Sequence, residues 1–75
     1  MVDDTAPTGL DWVAAFARQL GMDPPGADDA EVLLELASVA AHASERLAAP
    51  LACYLVGRAG VAPADALAIA RTVTP

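Results

Sequence analysis

Prolines and glycines cut this 75-residue chain into four pieces, each of helix length. Pro24, Pro25 and Gly26 stand together, Pro50 interrupts a later stretch, and Gly60 and Pro63 bracket a third junction. Proline has no N–H to donate, and its ring clashes with the carbonyl four residues earlier, so no regular helix runs through these points. Between them, apolar residues recur every three or four positions, the period of a helix buried on one side. No stretch alternates as a strand would. The spacing therefore predicts an all-α fold, a small bundle of four helices over about 9–20, 29–47, 50–59 and 63–73, with the second long and central. Residues 1–8 read as a disordered tail and 9–75 as one helical domain.

The ends of these segments carry local instructions. Thr8 with Asp11 three residues later has the form of a capping box, and Leu10, Val13, Phe16, Ala17 and Leu20 follow at helical spacing up to Gly21. Asp28 suits the N-cap of the second helix. Projected at about 100° per residue, Val32, Leu36, Ala40, Ala43 and Leu47 share a wide apolar arc, while Glu31, Glu35, Ser38, His42, Glu45 and Arg46 form an opposite polar stripe. Leu34 and Ala41 lie off the main apolar centre, so the helix is expected to be covered on more than one side. Ala48 and Ala49 read as a tight link, with Pro50 opening the third helix and Pro63 the fourth.

Composition limits what such a bundle can enclose. Hydrophobic residues make up 56% of the chain but aromatic ones only 4%, so the apolar content is mostly alanine, with thin side chains and little room for an internal ligand. A chain this short also hides a modest share of its surface on folding, and a partner or second copy is one way to complete the core.

Charge and chemistry remove several classes of function. The formal charge is −6, and the four cations, Arg18, Arg46, Arg58 and Arg71, are dispersed. Such a surface repels phosphate backbones and anionic lipid, so neither nucleic acid nor membrane is expected as a partner. Lysine is absent, which excludes a Schiff-base lysine and the lysine of a Walker phosphate loop. Cys53 is the only cysteine, so the chain has no internal disulfide and no cysteine-based zinc site. A reducing, cytoplasmic setting is expected, and the acidic start of the chain does not read as a signal peptide. The apolar run Leu47 to Gly57 is about half the length that crosses a bilayer.

Few residues stand out for chemistry. His42 lies one helical turn from Ser38 and Arg46, where hydrogen bonds would orient it and a proton could be exchanged near neutral pH. The simpler account is a half-buried helix histidine with a polar partner, because no nucleophile accompanies it. Carboxylates share its helix face, but the Glu-x-x-His pairing of di-iron bundles is absent, and no metal or cofactor is expected. A solvated face with intrahelical ion pairs explains these charges. Cys53 and Tyr54 come early in the third helix, where a thiol pKa would be lowered, although lone cysteines in apolar runs are usually core. Trp12 and Phe16 either anchor a partner or close the bundle. Core packing is the default, since aromatic volume is scarce. An acyl-carrier reading fails because Ser38 and Ser44 follow alanines inside a helix, whereas phosphopantetheine attachment needs an Asp-Ser pair at a helix start.

The stretch Val39-Ala40-Ala41-His42-Ala43-Ser44-Glu45-Arg46-Leu47-Ala48-Ala49-Pro50-Leu51-Ala52-Cys53-Tyr54-Leu55-Val56-Gly57 resembles a bacterial family of small uncharacterised helical domains. Members occur alone or joined to the C-terminal side of molybdenum cofactor guanylyltransferases. Leu10-Asp11-Trp12 and Leu20-Gly21-Met22-Asp23 fit the same pattern, which His42, Arg46, Pro50, Leu51 and Gly57 carry most plainly. Leu47 departs from it, standing where the pattern has proline. The resemblance implies a non-enzymatic accessory or interaction module for attachment of guanine dinucleotide to molybdopterin, with a cofactor-biosynthesis enzyme as its protein partner. No glycine-rich nucleotide loop is present, so the transfer step does not carry over. Docking is expected through the His42/Arg46 face or the Trp12/Phe16 face. Two alternatives stay open: a small-ligand or phosphate-binding subunit using His42, Arg46, Tyr54 and Arg58, and a self-associating domain that forms a homodimer.

Overall fold

A computed structural model describes residues 8–75, in which four helices are joined by short turns: α1 (Gly9–Gln19), α2 (Ala27–Ala43), α3 (Ala48–Ala59) and α4 (Pro63–Ala70). No strand occurs among the described residues. The all-α expectation and the long central second helix hold, but α3, at 12 residues, is longer than α1 at 11 and α4 at 8, where the sequence spans make the third helix the shortest. The tail expected over 1–8 lies outside the described residues apart from Thr8.

The sequence signals at the helix ends operate at Thr8, Gly21, Gly60 and Pro63. The Thr8 hydroxyl accepts from the Asp11 N–H at 3.1 Å while the Asp11 carboxylate accepts from the Thr8 N–H at 3.1 Å, so two otherwise unpaired donors are satisfied reciprocally. α1 closes through Gly21, at φ +73°, with Gly21 N–H donating to Arg18 and Met22 N–H to Ala17. That double bond is the Schellman arrangement, which needs a residue at ease in left-handed backbone. Pro63 opens α4 at its first turn, where a missing N–H leaves nothing unpaired.

Four boundaries differ from the sequence expectation by two residues or more. α2 begins two residues early, capped by Gly26 in extended backbone, and Asp28 and Asp29 sit in its first turn. Their charge complements the positive helix end without a side-chain cap. α2 also ends at Ala43 and not at Leu47. Ser44 turns out of helical backbone at φ −143°, ψ −96°, and its hydroxyl donates back to the Ala40 carbonyl at 2.8 Å. Ala48 and Ala49 are the first residues of α3 and not a linker, because Ala48 N–H reaches Glu45 and Ala49 N–H reaches Arg46 in a tight i→i+3 turn. Pro50 then falls in the first turn of α3, and its ring would collide with the Arg46 carbonyl if one helix ran through both. At the other end, α4 stops at Ala70, where the Thr72 hydroxyl takes the Ile69 carbonyl at 2.7 Å. A hydroxyl that captures a local carbonyl competes with the helix ladder.

α2 is the hub, packing against both α3 and α4, whereas α1 shares no comparable contact with any other helix. The core is correspondingly small. Leu36 on α2 is 2% exposed, and Ala17 on α1 and Ala66 on α4 are the other buried residues among those described. Alanines let the helices sit close, so there is little interior volume for anything larger. The big apolar side chains point outward instead. On α3 the inward side carries Ala52, Cys53 and Val56, while Leu51, Tyr54 and Leu55, and Leu47 just before the helix, lie exposed.

Candidate functional site

His42 occupies the last turn of α2 and is exposed. Its Nδ1 lies 2.8 Å from the Ser38 carbonyl oxygen and 3.1 Å from the Ser38 hydroxyl. A carbonyl only accepts, so Nδ1 carries the proton in this geometry and Nε2 is the nitrogen left for other chemistry. The half-buried setting expected for the ring is not found, because α2 ends one residue later and nothing large crosses over it. Arg46 lies in the turn between α2 and α3. Arg58, in the last turn of α3, places its guanidinium 5.9 Å from the centre of the Tyr54 ring and donates to the Tyr54 hydroxyl at 3.1 Å.

The structure thus brings Tyr54 and Arg58 together, and His42 with Ser38. Among the described residues no hydrogen bond or ion pair joins His42, Arg46 and Arg58. The one ion pair among them links two helices, Arg71 to Glu35 at 3.5 Å, with both side chains more than half exposed. This corrects the expectation of intrahelical pairs along α2; at that exposure the pair contributes at most about 1 kcal/mol. No cluster of three or more His, Cys, Asp or Glu able to hold a metal ion occurs among the described residues. No described helix is long and apolar enough to cross a membrane.

Cys53 also departs from its expected chemistry. It sits more than a turn beyond the start of α3, past the reach of the helix end, with its thiol directed at the Leu33 carbonyl 4.0 Å away. Burial pushes the thiol above its ordinary value of 9.0. The sulfur therefore stays protonated and unreactive at neutral pH, and alkylation by iodoacetamide at pH 8 is expected to run well below the rate in denaturant. Equal rates would show the thiol to be open. The sign of the linked stability follows. Below the unfolded value both states hold the proton and the contribution is complete; as pH climbs through the raised folded value the unfolded chain ionises first and stability is lost.

The aromatic pair is where the structure overturns the core-packing default. Trp12 and Phe16 stack at a ring-centroid separation of 5.1 Å, but they are 60% and 48% exposed. Leu20, one turn further, continues the stripe in the open. The reason is geometric. α1 buries its thin side, Ala17, so the aromatic side faces away from the other helices.

The second surface feature is a groove. α3 and α4 both rest on α2 without packing substantially on each other, and between them run two adjoining hollows of about 210 and 280 Å³. Leu36, Ala52, Ala70 and Val73 line both, and Ser44 supplies the one polar side chain in either lining. None of His42, Arg46, Tyr54 and Arg58 lines these hollows. Sequence reasoning missed this groove and the outward leucines of α3. Projecting α3 on its helical wheel reveals them: Leu47, Leu51, Tyr54 and Leu55 cluster on one side and the small residues on the other.

A family profile described as "Domain of unknown function (DUF6457)" matches residues 4–74 of this sequence. No curated protein and no solved structure matches it.

Proposed function

We propose a role for this chain from the premise that it belongs to the DUF6457 family: it is a non-enzymatic helical interaction module that docks on a protein through its outward apolar side chains. The observation that carries this reading is where the large side chains lie: beside Leu36 the buried residues are Ala17 and Ala66, while Trp12, Phe16, Leu51 and Leu55 are turned to water. Large exposed apolar surface on a small domain marks a contact face. Aromatic pairs such as Trp12 and Phe16 are the residue types that dominate binding energy when a partner covers them. The partner we propose is a molybdenum cofactor guanylyltransferase. Support for that class is the resemblance of Val39 to Gly57 to domains joined to such enzymes. The proposed location is the cytoplasm, in keeping with a single free thiol.

Calorimetric titration of the purified guanylyltransferase from the same organism into this domain tests the reading. Saturable binding is expected, weakened about thirtyfold or more by Trp12→Ala with Phe16→Ala, since truncating hot-spot aromatics costs about 2 kcal/mol or more. The same double variant leaves the isolated domain folded, because both rings are already wet. An absence of heat, together with transferase turnover indifferent to the domain, would reject the proposed partner.

A further inference from the structure

We infer that α1 is an arm: it comes away from the α2–α4 body as one unit, pivoting on the link to α2, while the body stays folded. Three observations carry it.

The first is how little fastens α1. Along its whole length only Ala17 is buried and only Ala14 is partly covered; every other residue from Gly9 to Gln19 is exposed. Burial of methyl-sized side chains stabilises a contact far less than burial of leucine does. No hydrogen bond or ion pair among the described residues joins α1 to another helix. The body is tied differently. α2 packs along both α3 and α4, Leu36 is sealed between them, Glu35 pairs with Arg71 across helices, and the Cys53 thiol faces the Leu33 carbonyl. Segments with few buried apolar contacts open at lower free energy than the core they are attached to.

The second is that α1 is supported from within. Its capping box lies between Thr8 and Asp11, and its closing bonds run from Gly21 to Arg18 and from Met22 to Ala17. Trp12 and Phe16 stack on each other, and Asp11 and Arg18 complement the two ends of the helix dipole. All of these contacts fall within residues 8–22, so release from the body breaks none of them.

The third is the tether. Asp23, Pro24 and Pro25 are exposed, and no backbone hydrogen bond among the described residues holds any of them. The two prolines fix φ and keep the link extended, while Gly21 and Gly26 flank it as pivots. The arm therefore swings without disturbing the cap of α2. If the stripe of Trp12 and Phe16 is a docking face, a partner that grips it takes hold of a tethered helix and not of a fixed surface, and its grip suppresses the opening.

Native-state hydrogen exchange of the full chain, followed by NMR below the urea unfolding transition, is the test. An 11-residue helix is marginal on its own in water, so a released α1 exchanges its amides. Those from Val13 to Leu20 should share one protection factor, about tenfold or more below that of the amides around Leu36. It should hardly change with urea, because release wets little surface, whereas protection in α2 should fall steeply. Ala17→Glu puts a carboxylate at the one buried position of α1 and should lower α1 protection a further tenfold or so, leaving α2 unchanged. Ala15→Glu, on the exposed side of the same helix, should leave both unchanged. Leu36→Ala should lower protection in α2 and spare α1. Equal protection and equal urea dependence in α1 and α2 overturn the proposal. So does a loss in both helices on Ala17→Glu, an effect of Ala15→Glu as large as that of Ala17→Glu, or a gradient from the helix ends that Ala17→Glu does not move, which is fraying. The chain is measured alone, so failure to bind the guanylyltransferase leaves this result untouched. An α1 locked to the body would remove the inference and leave the proposed docking standing.

Discussion

Leu36→Ala is expected to destabilise the chain by about 3 kcal/mol, within the range for truncating a buried leucine, and to lower the melting temperature by roughly 12–24 °C for a domain of this size. Leu36 is the one large side chain that is fully buried among the described residues, at 2% exposure. It lies where α2 meets α3 and α4, and it floors both hollows of the groove. Helices already held close through alanine have little freedom to collapse into the space it leaves. A chain of this length has about 4–11 kcal/mol of stability in all, so a large share would go. Thermal unfolding followed by circular dichroism measures it. Leu34→Ala is the matched control on the same helix; Leu34 is largely exposed, and its truncation should stay within about 0.5 kcal/mol. Equal losses at the two positions would mean that the hub is not where the helices are joined.

Opposite signs are expected from two glycines three residues apart, Gly57 inside α3 and Gly60 capping its end. Gly60 ends the helix at φ +69°, with its N–H donating to the Val56 carbonyl at 3.1 Å. A β-branched residue there is strained although the space around it is open, and Gly60→Val should cost about 1–2 kcal/mol. Gly57 lies inside the same helix with nothing near the position of an added Cβ. Gly57→Ala should stabilise by about 0.5–1 kcal/mol, because alanine has less backbone freedom to lose on folding. Urea unfolding of the two variants reads the difference directly. Loss of stability in Gly57→Ala would indicate that another part of the protein approaches α3 there.

The features legible in the sequence were those decided within a few residues. Thr8 with Asp11, Gly21, Gly60 and Pro63 each act on backbone groups one turn away or less, and each does what its residue type predicts. The exit of α2 was not legible. Glu45, Arg46 and Leu47 are good helix formers, and propensity alone carries the helix to Leu47. What stops it at Ala43 is a set of events around Pro50, seven residues downstream, together with the Ser44 hydroxyl turned back on Ala40. The stripe of Trp12 and Phe16 was misjudged for a related reason. Scarcity of aromatic volume argues that a core needs those rings, but close helix packing through alanine leaves no hole to receive them. His42, Arg46, Tyr54 and Arg58 were visible as residue types, and the structure joins only Tyr54 to Arg58 by direct contact.

The outward placement of the large side chains has a thermodynamic signature. Heat capacity and denaturant sensitivity both scale with the apolar surface that unfolding newly wets. Here much of that surface is hydrated before unfolding begins, so the isolated chain should have a shallow stability curve, a small heat-capacity increment and a broad melt. Once the same leucines and aromatic rings are covered, each of these quantities should rise, and calorimetry would register the covering even where the helical content stayed constant.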